Sequence, residues 1–96
     1  MSTFRAVNPA TGEEFGPEIK SATEAEVSAV IEASHAPSLS PKGRSQLLTN
    51  IASAIEADRS TIVDLAMQES GLPEARLNGE LTRTVFQITK FAELVA

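Results

Sequence analysis

Apolar positions recur along this chain with two different periods. Before residue 20 they are few and broken by turn residues; from residue 40 onward they fall three and four apart, the spacing of one helix face. Leu47, Leu48, Ile51, Ala52 and Ile55 mark a helix over 41–57, and Ile62, Val63, Leu65, Ala66 and Met67 mark another over 58–70. Leu77, Leu81, Val85, Ile88, Phe91, Ala92 and Val95 make the longest stripe, over 73–96. Val27, Val30 and Ile31 share a face of a shorter helix over 23–34.

Polar residues punctuate these runs where helix ends need them. Thr23 and Glu26 have the spacing of a capping box, in which each side chain bonds the other's backbone N–H, and Ala22 with Val27 fits a hydrophobic staple. Pro37 forbids continuation of the first helix. Ser40-Pro41 opens the second, with a capping hydroxyl followed by a ring that presets φ. Asp58 reads as a fresh N-cap, Gly71 as a left-handed stop, and Pro73 as the start of the last helix. Ahead of all this, 4–17 reads as a hairpin: Phe4 to Val7, a turn at Asn8-Pro9-Ala10-Thr11-Gly12, and a return through Phe15 that Gly16-Pro17 ends. The expected fold is mainly α, an N-terminal β-hairpin followed by about four helices, in one segment spanning 1–96.

A two-stranded hairpin is marginal in water without something to pack on. The last helix keeps its apolar period to Val95-Ala96 with no glycine or basic stop. Together these features predict a piece of a larger fold, with apolar faces that lack cover and invite self-association.

Composition narrows the chemistry. A net charge of −5, with eight scattered basic residues, argues against a nucleic-acid partner, and the absence of Trp and Tyr removes most stacking platforms. The absence of cysteine removes disulfides, thiolate metal sites and a thiol nucleophile, and fits a reducing compartment. No apolar core segment follows the first residues and no window reaches membrane-spanning length, so the cytoplasm is the expected location.

Candidate sites are few. His35 is the one histidine and cannot build a metal site, so it reads as a surface residue in a linker. Ser38, Ser40 and Ser45 surround Lys42, but loop, cap and surface roles explain them better than a Ser–Lys dyad. Glu13-Glu14 would point to opposite faces of a strand, and Glu24 with Glu26 suits a helix N-terminus. No glycine spacing matches a phosphate loop. No catalytic, cofactor-binding or metal residue is assigned. Arg76, Glu80, Arg83 and Gln87 form a polar stripe on the last helix. The plainer interpretation is a salt-bridged surface; the functional one is a pocket wall with Arg83 as a forked donor to a carboxylate.

Read as one string, the chain resembles the N-terminal segment of the aldehyde dehydrogenase superfamily. The resemblance rests on Asn8-Pro9-Ala10-Thr11-Gly12-Glu13, Arg44 to Leu48 with Ile51-Ala52, Ala54-Ile55-Glu56, Leu65-Ala66, Glu69, Gly71 and Pro73. Gly71 through Glu80, followed by Arg83-Thr84, Gln87 and Phe91-Ala92, is similar to the 2-oxoglutarate semialdehyde (2,5-dioxopentanoate) branch and to related NADP-dependent fatty aldehyde dehydrogenases. The chain departs from the family at His35 to Leu39, a shorter stretch lacking the usual aromatic pair. The resemblance implies a truncated piece of an α/β enzyme that oxidises an aldehyde through a cysteine thiohemiacetal with NAD or NADP. It also implies that this segment is inert without the rest of the enzyme, and that Arg83, with Glu80 and Gln87, stands beside the substrate tunnel. The competing expectation is a stand-alone helical protein-interaction module.

Overall fold

A computed structural model describes residues 2–35 and 38–96. Strands β1 (Thr3–Val7) and β2 (Glu14–Lys20) form an antiparallel hairpin, followed by helices α1 (Glu24–Ala33), α2 (Pro41–Ala57), α3 (Arg59–Ser70) and α4 (Glu74–Val95). The expected helix stop at Pro37 lies outside the described residues.

Most punctuation works through the atoms the sequence suggests. In the hairpin turn, Asn8 Oδ1 accepts from the Ala10 N–H at 2.9 Å, and the Gly12 N–H closes on the Asn8 carbonyl at 2.7 Å. Thr23 and Glu26 complete the capping box in both directions at 3.2 Å. Ser40 Oγ accepts from the Gly43 N–H at 3.0 Å, with Pro41 opening α2. Such caps contribute about 1 kcal/mol each.

Two expectations need correction here. The strand does not end at Gly16-Pro17; β2 runs through both residues to Lys20. Ala6 pairs with Phe15 and Phe4 with Ile19, so one β1 residue faces three on β2 across a bulge. Gly16, at φ +75°, makes that bulge, and a bulge in a two-stranded ribbon tolerates a proline that donates no ladder hydrogen bond. The Arg5 Nε–H bonds the Gly16 carbonyl at 2.9 Å and closes the gap. The second correction concerns Asp58, which ends α2 and precedes α3 but makes no side-chain cap bond. With φ −104° and ψ 14°, it turns the chain between two helices as a single-residue joint.

Gly71 behaves as expected: it ends α3 at φ 72°, its N–H bonded to the Met67 carbonyl at 2.9 Å. A Cβ built there would stand 3.5 Å from Pro9 Cγ, an ordinary contact, so backbone strain is the main penalty for a side chain. Gly71→Ala is expected to cost about 1–2 kcal/mol, seen as a lower urea midpoint by circular dichroism; an unchanged midpoint would show that the left-handed cap is dispensable.

The helices form a layer rather than a ball. α2 and α3 both pack on α4, β1 touches α3 over a small area, and α1 stands outside this set. The molecule measures 46 × 40 × 15 Å, with a radius of gyration of 17.3 Å. A compact chain of this length has a radius of about 12–13 Å. Its surface of 7264 Å² exceeds by roughly 2,000 Å² what a compact protein of this mass exposes. A slab about one helix thick cannot bury side chains on both faces. Among the described residues the buried core is Ala52, Val63, Leu81 and Ala92. The long stripe of α4 therefore splits. Leu77, Val85, Ile88 and Val95 are half-buried, whereas Phe91, expected in the stripe, is 59% exposed, and Leu94 is 76% exposed. Val27, Val30 and Ile31 of α1 are also open to solvent.

Candidate functional site

The polar stripe lies where helical spacing puts it. Arg76, Glu80, Arg83 and Gln87 all belong to α4, and all four are exposed. The salt-bridged surface does not form: among the described residues the ion pairs are Arg59–Glu56 and Lys90–Glu93, neither within the stripe.

Beside the stripe runs a groove of about 330 Å³ between the end of α2, α3 and α4. Ile55, Ile62, Val63, Leu77 and Leu81 line its apolar wall, with Glu80 and Thr84 as polar members. The Thr84 hydroxyl donates to the Glu80 carbonyl at 3.0 Å, so it is engaged within its own helix. Arg83 and Gln87 lie outside this groove. The structure thus brings Glu80 to a concave apolar surface and leaves the other two on open helix.

The remaining candidates have structural roles or none. His35 is exposed. Ser40 is a cap, and Ser45 Oγ donates to the Ala92 carbonyl at 2.7 Å, tying α2 to α4 where both present small residues. No group of three His, Asp or Glu residues with metal-site geometry occurs among the described residues. No described helix is long and apolar enough to cross a membrane.

A parallel sheet with a glycine-rich turn, the common seat of a dinucleotide, does not occur among the described residues; the sheet there is the two-stranded antiparallel hairpin. The start of α2, Lys42-Gly43-Arg44, has the chemistry for a phosphate but is closed. Ser40 Oγ occupies the Gly43 N–H, and Arg44 folds back to donate to the Leu39 carbonyl.

Sequence reasoning missed one polar centre. Arg59, at the start of α3, joins Glu56, Asn78 and Thr82. The Glu56–Arg59 spacing of three was a visible signal for a local pair; the links to α4 cross 19 and 23 residues and leave no local trace.

The family model described as aldehyde dehydrogenase family matches residues 1–96, and the chain belongs to the aldehyde dehydrogenase family.

Proposed function

We propose that these residues are the N-terminal part of a cytoplasmic NAD(P)-dependent enzyme that oxidises an aldehyde to a carboxylic acid. The family match across residues 1–96, in a chain without cysteine, carries this reading. The nucleophilic thiol and the dinucleotide site then belong to other parts of the enzyme, and this segment alone is inert. Its task is to supply α4 as one wall of the substrate passage. Arg83, an exposed guanidinium with no ion pair among the described residues, suits an aldehyde bearing a second carboxylate, such as 2-oxoglutarate semialdehyde. Glu80 and Gln87 flank it on the same face. The exposed apolar residues of α1 and α4 are the surfaces that the rest of the enzyme covers, and in isolation they drive self-association.

Titration of the isolated chain with NAD and NADP tests this directly. No saturable binding is expected by calorimetry, and light scattering of the same sample should show concentration-dependent assembly that binds an apolar-surface dye. Tight, specific dinucleotide binding would refute the inert-segment reading. A monodisperse monomer that ignores the dye would favour a free-standing helical module.

A further inference from the structure

Arg59 sits where α2, α3 and α4 meet. A guanidinium has five N–H donors in a rigid fork, and here every donor group is engaged. Nε and Nη2 bond the Glu56 carboxylate, the shorter contact being 2.8 Å. Nη1 donates to the Asn78 carbonyl at 3.0 Å and to Asn78 Oδ1 at 3.1 Å, and Nη2 also donates to Thr82 Oγ1 at 2.9 Å. The Arg59 side chain is 27% exposed. An exposed i,i+3 ion pair would add little by itself. What distinguishes this one is its reach across to a second helix, on two successive turns.

Ser45 ties α2 to the far end of α4, but the α3–α4 contact beside Arg59 is the smaller one. Val63 of α3 and Leu81 of α4 are buried, but the groove of about 330 Å³ opens between the same helices. Packed helices can shift along one another by one turn, about 5 Å, when their ridges find the next groove. Loosely matched apolar ridges resist such a shift poorly, whereas a planar fork bonded to two fixed acceptors does not survive it.

We propose that Arg59 is a positioning residue that sets the axial register of α4 against the α2–α3 joint. Thr82 lies between Glu80 and Arg83 on α4, so the same clip sets where those two side chains stand. Only this consequence for substrate rests on the function proposed above; the register does not.

The chain has no cysteine, so spin labels can be placed without background. Gln68→Cys on α3 and Thr89→Cys on α4 are both at exposed positions. Double electron–electron resonance on this pair, with labelled chains diluted into excess unlabelled chain so that assembly adds no intermolecular pairs, should give one narrow distance in the parent. Arg59→Lys retains the charge but cannot fork to Asn78 and Thr82 together. It should lose the single distance and gain a second population displaced by up to about one helical turn, ~5 Å, with helical circular dichroism retained. Thr82→Val removes one acceptor at constant shape and should broaden the distribution in the same direction. Glu56→Gln keeps the links to α4 and should retain the parent distance. A single unshifted distance in both Arg59→Lys and Thr82→Val overturns the proposal. If Arg59→Lys loses its helicity, Thr82→Val alone decides. Because the readout contains no substrate, a negative result here is distinct from failure of the dehydrogenase reading.

Discussion

Leu81→Ala is expected to remove about 2–4 kcal/mol of folding stability, read as a large drop in the urea midpoint by circular dichroism. Leu81 is the largest buried side chain among the described residues, 6% exposed on α4. Alanine is the best helix former, so the helix itself loses nothing. The loss is burial and the space left behind. In a dense core the upper end of that range would apply; here the groove beside Leu81 lets neighbours and water relax into the gap, which favours the lower end. Even so, two of the four core residues are alanines, and domains of this size have only about 5–15 kcal/mol to lose. Leu94→Ala, at a position 76% exposed on the same helix, should stay within about 0.5 kcal/mol of the parent. Equal shifts in the two variants would show that the slab has no defined core.

Arg83→Gln, made in an intact dehydrogenase carrying this segment, should raise KM for an aldehyde bearing a distal carboxylate by about 10–100-fold. A hydrogen bond to a charged group contributes about 1.5–3 kcal/mol, and each 1.4 kcal/mol is a factor of ten. The distal carboxylate does not react, so its binding is felt equally in the bound and transition states, and kcat should be nearly unchanged. An uncharged aliphatic aldehyde should be oxidised with the parent KM. If KM rises equally for both substrates, Arg83 does not see the carboxylate and the substrate assignment falls.

Local chemistry was the legible part of this chain. Thr23 with Glu26, Ser40 with Pro41, Asn8 in its turn and Gly71 each act within a few residues of themselves, and each performs the expected bond or conformation. Helical spacing likewise placed Arg76, Glu80, Arg83 and Gln87 on one face of α4. What failed depended on distant partners. Gly16-Pro17 read as a strand end because their propensities say so, yet the opposing strand absorbs them in a bulge. Phe91 read as core because its spacing fits, yet burial needs a second layer, and α4 has neighbours on only part of its surface. Arg59 looked like an ordinary surface basic residue because Asn78 and Thr82 become its neighbours only after α4 folds back.

The single-residue joint at Asp58 has a consequence for how this family can vary in length. α2 and α3 share that one residue as end and beginning, and both must present an apolar face to the same α4. Adding or deleting one residue there would rotate everything after it by about 100°. Ala92 would swing away from Ser45 on α2, and Arg59 would turn away from Glu56. The stretch between α1 and α2 carries no such phase, since α1 packs extensively on nothing else described here. Insertions and deletions should therefore be better tolerated between α1 and α2 and excluded between Ile55 and Val63. The departure at His35 to Leu39 falls on the permissive side of that line.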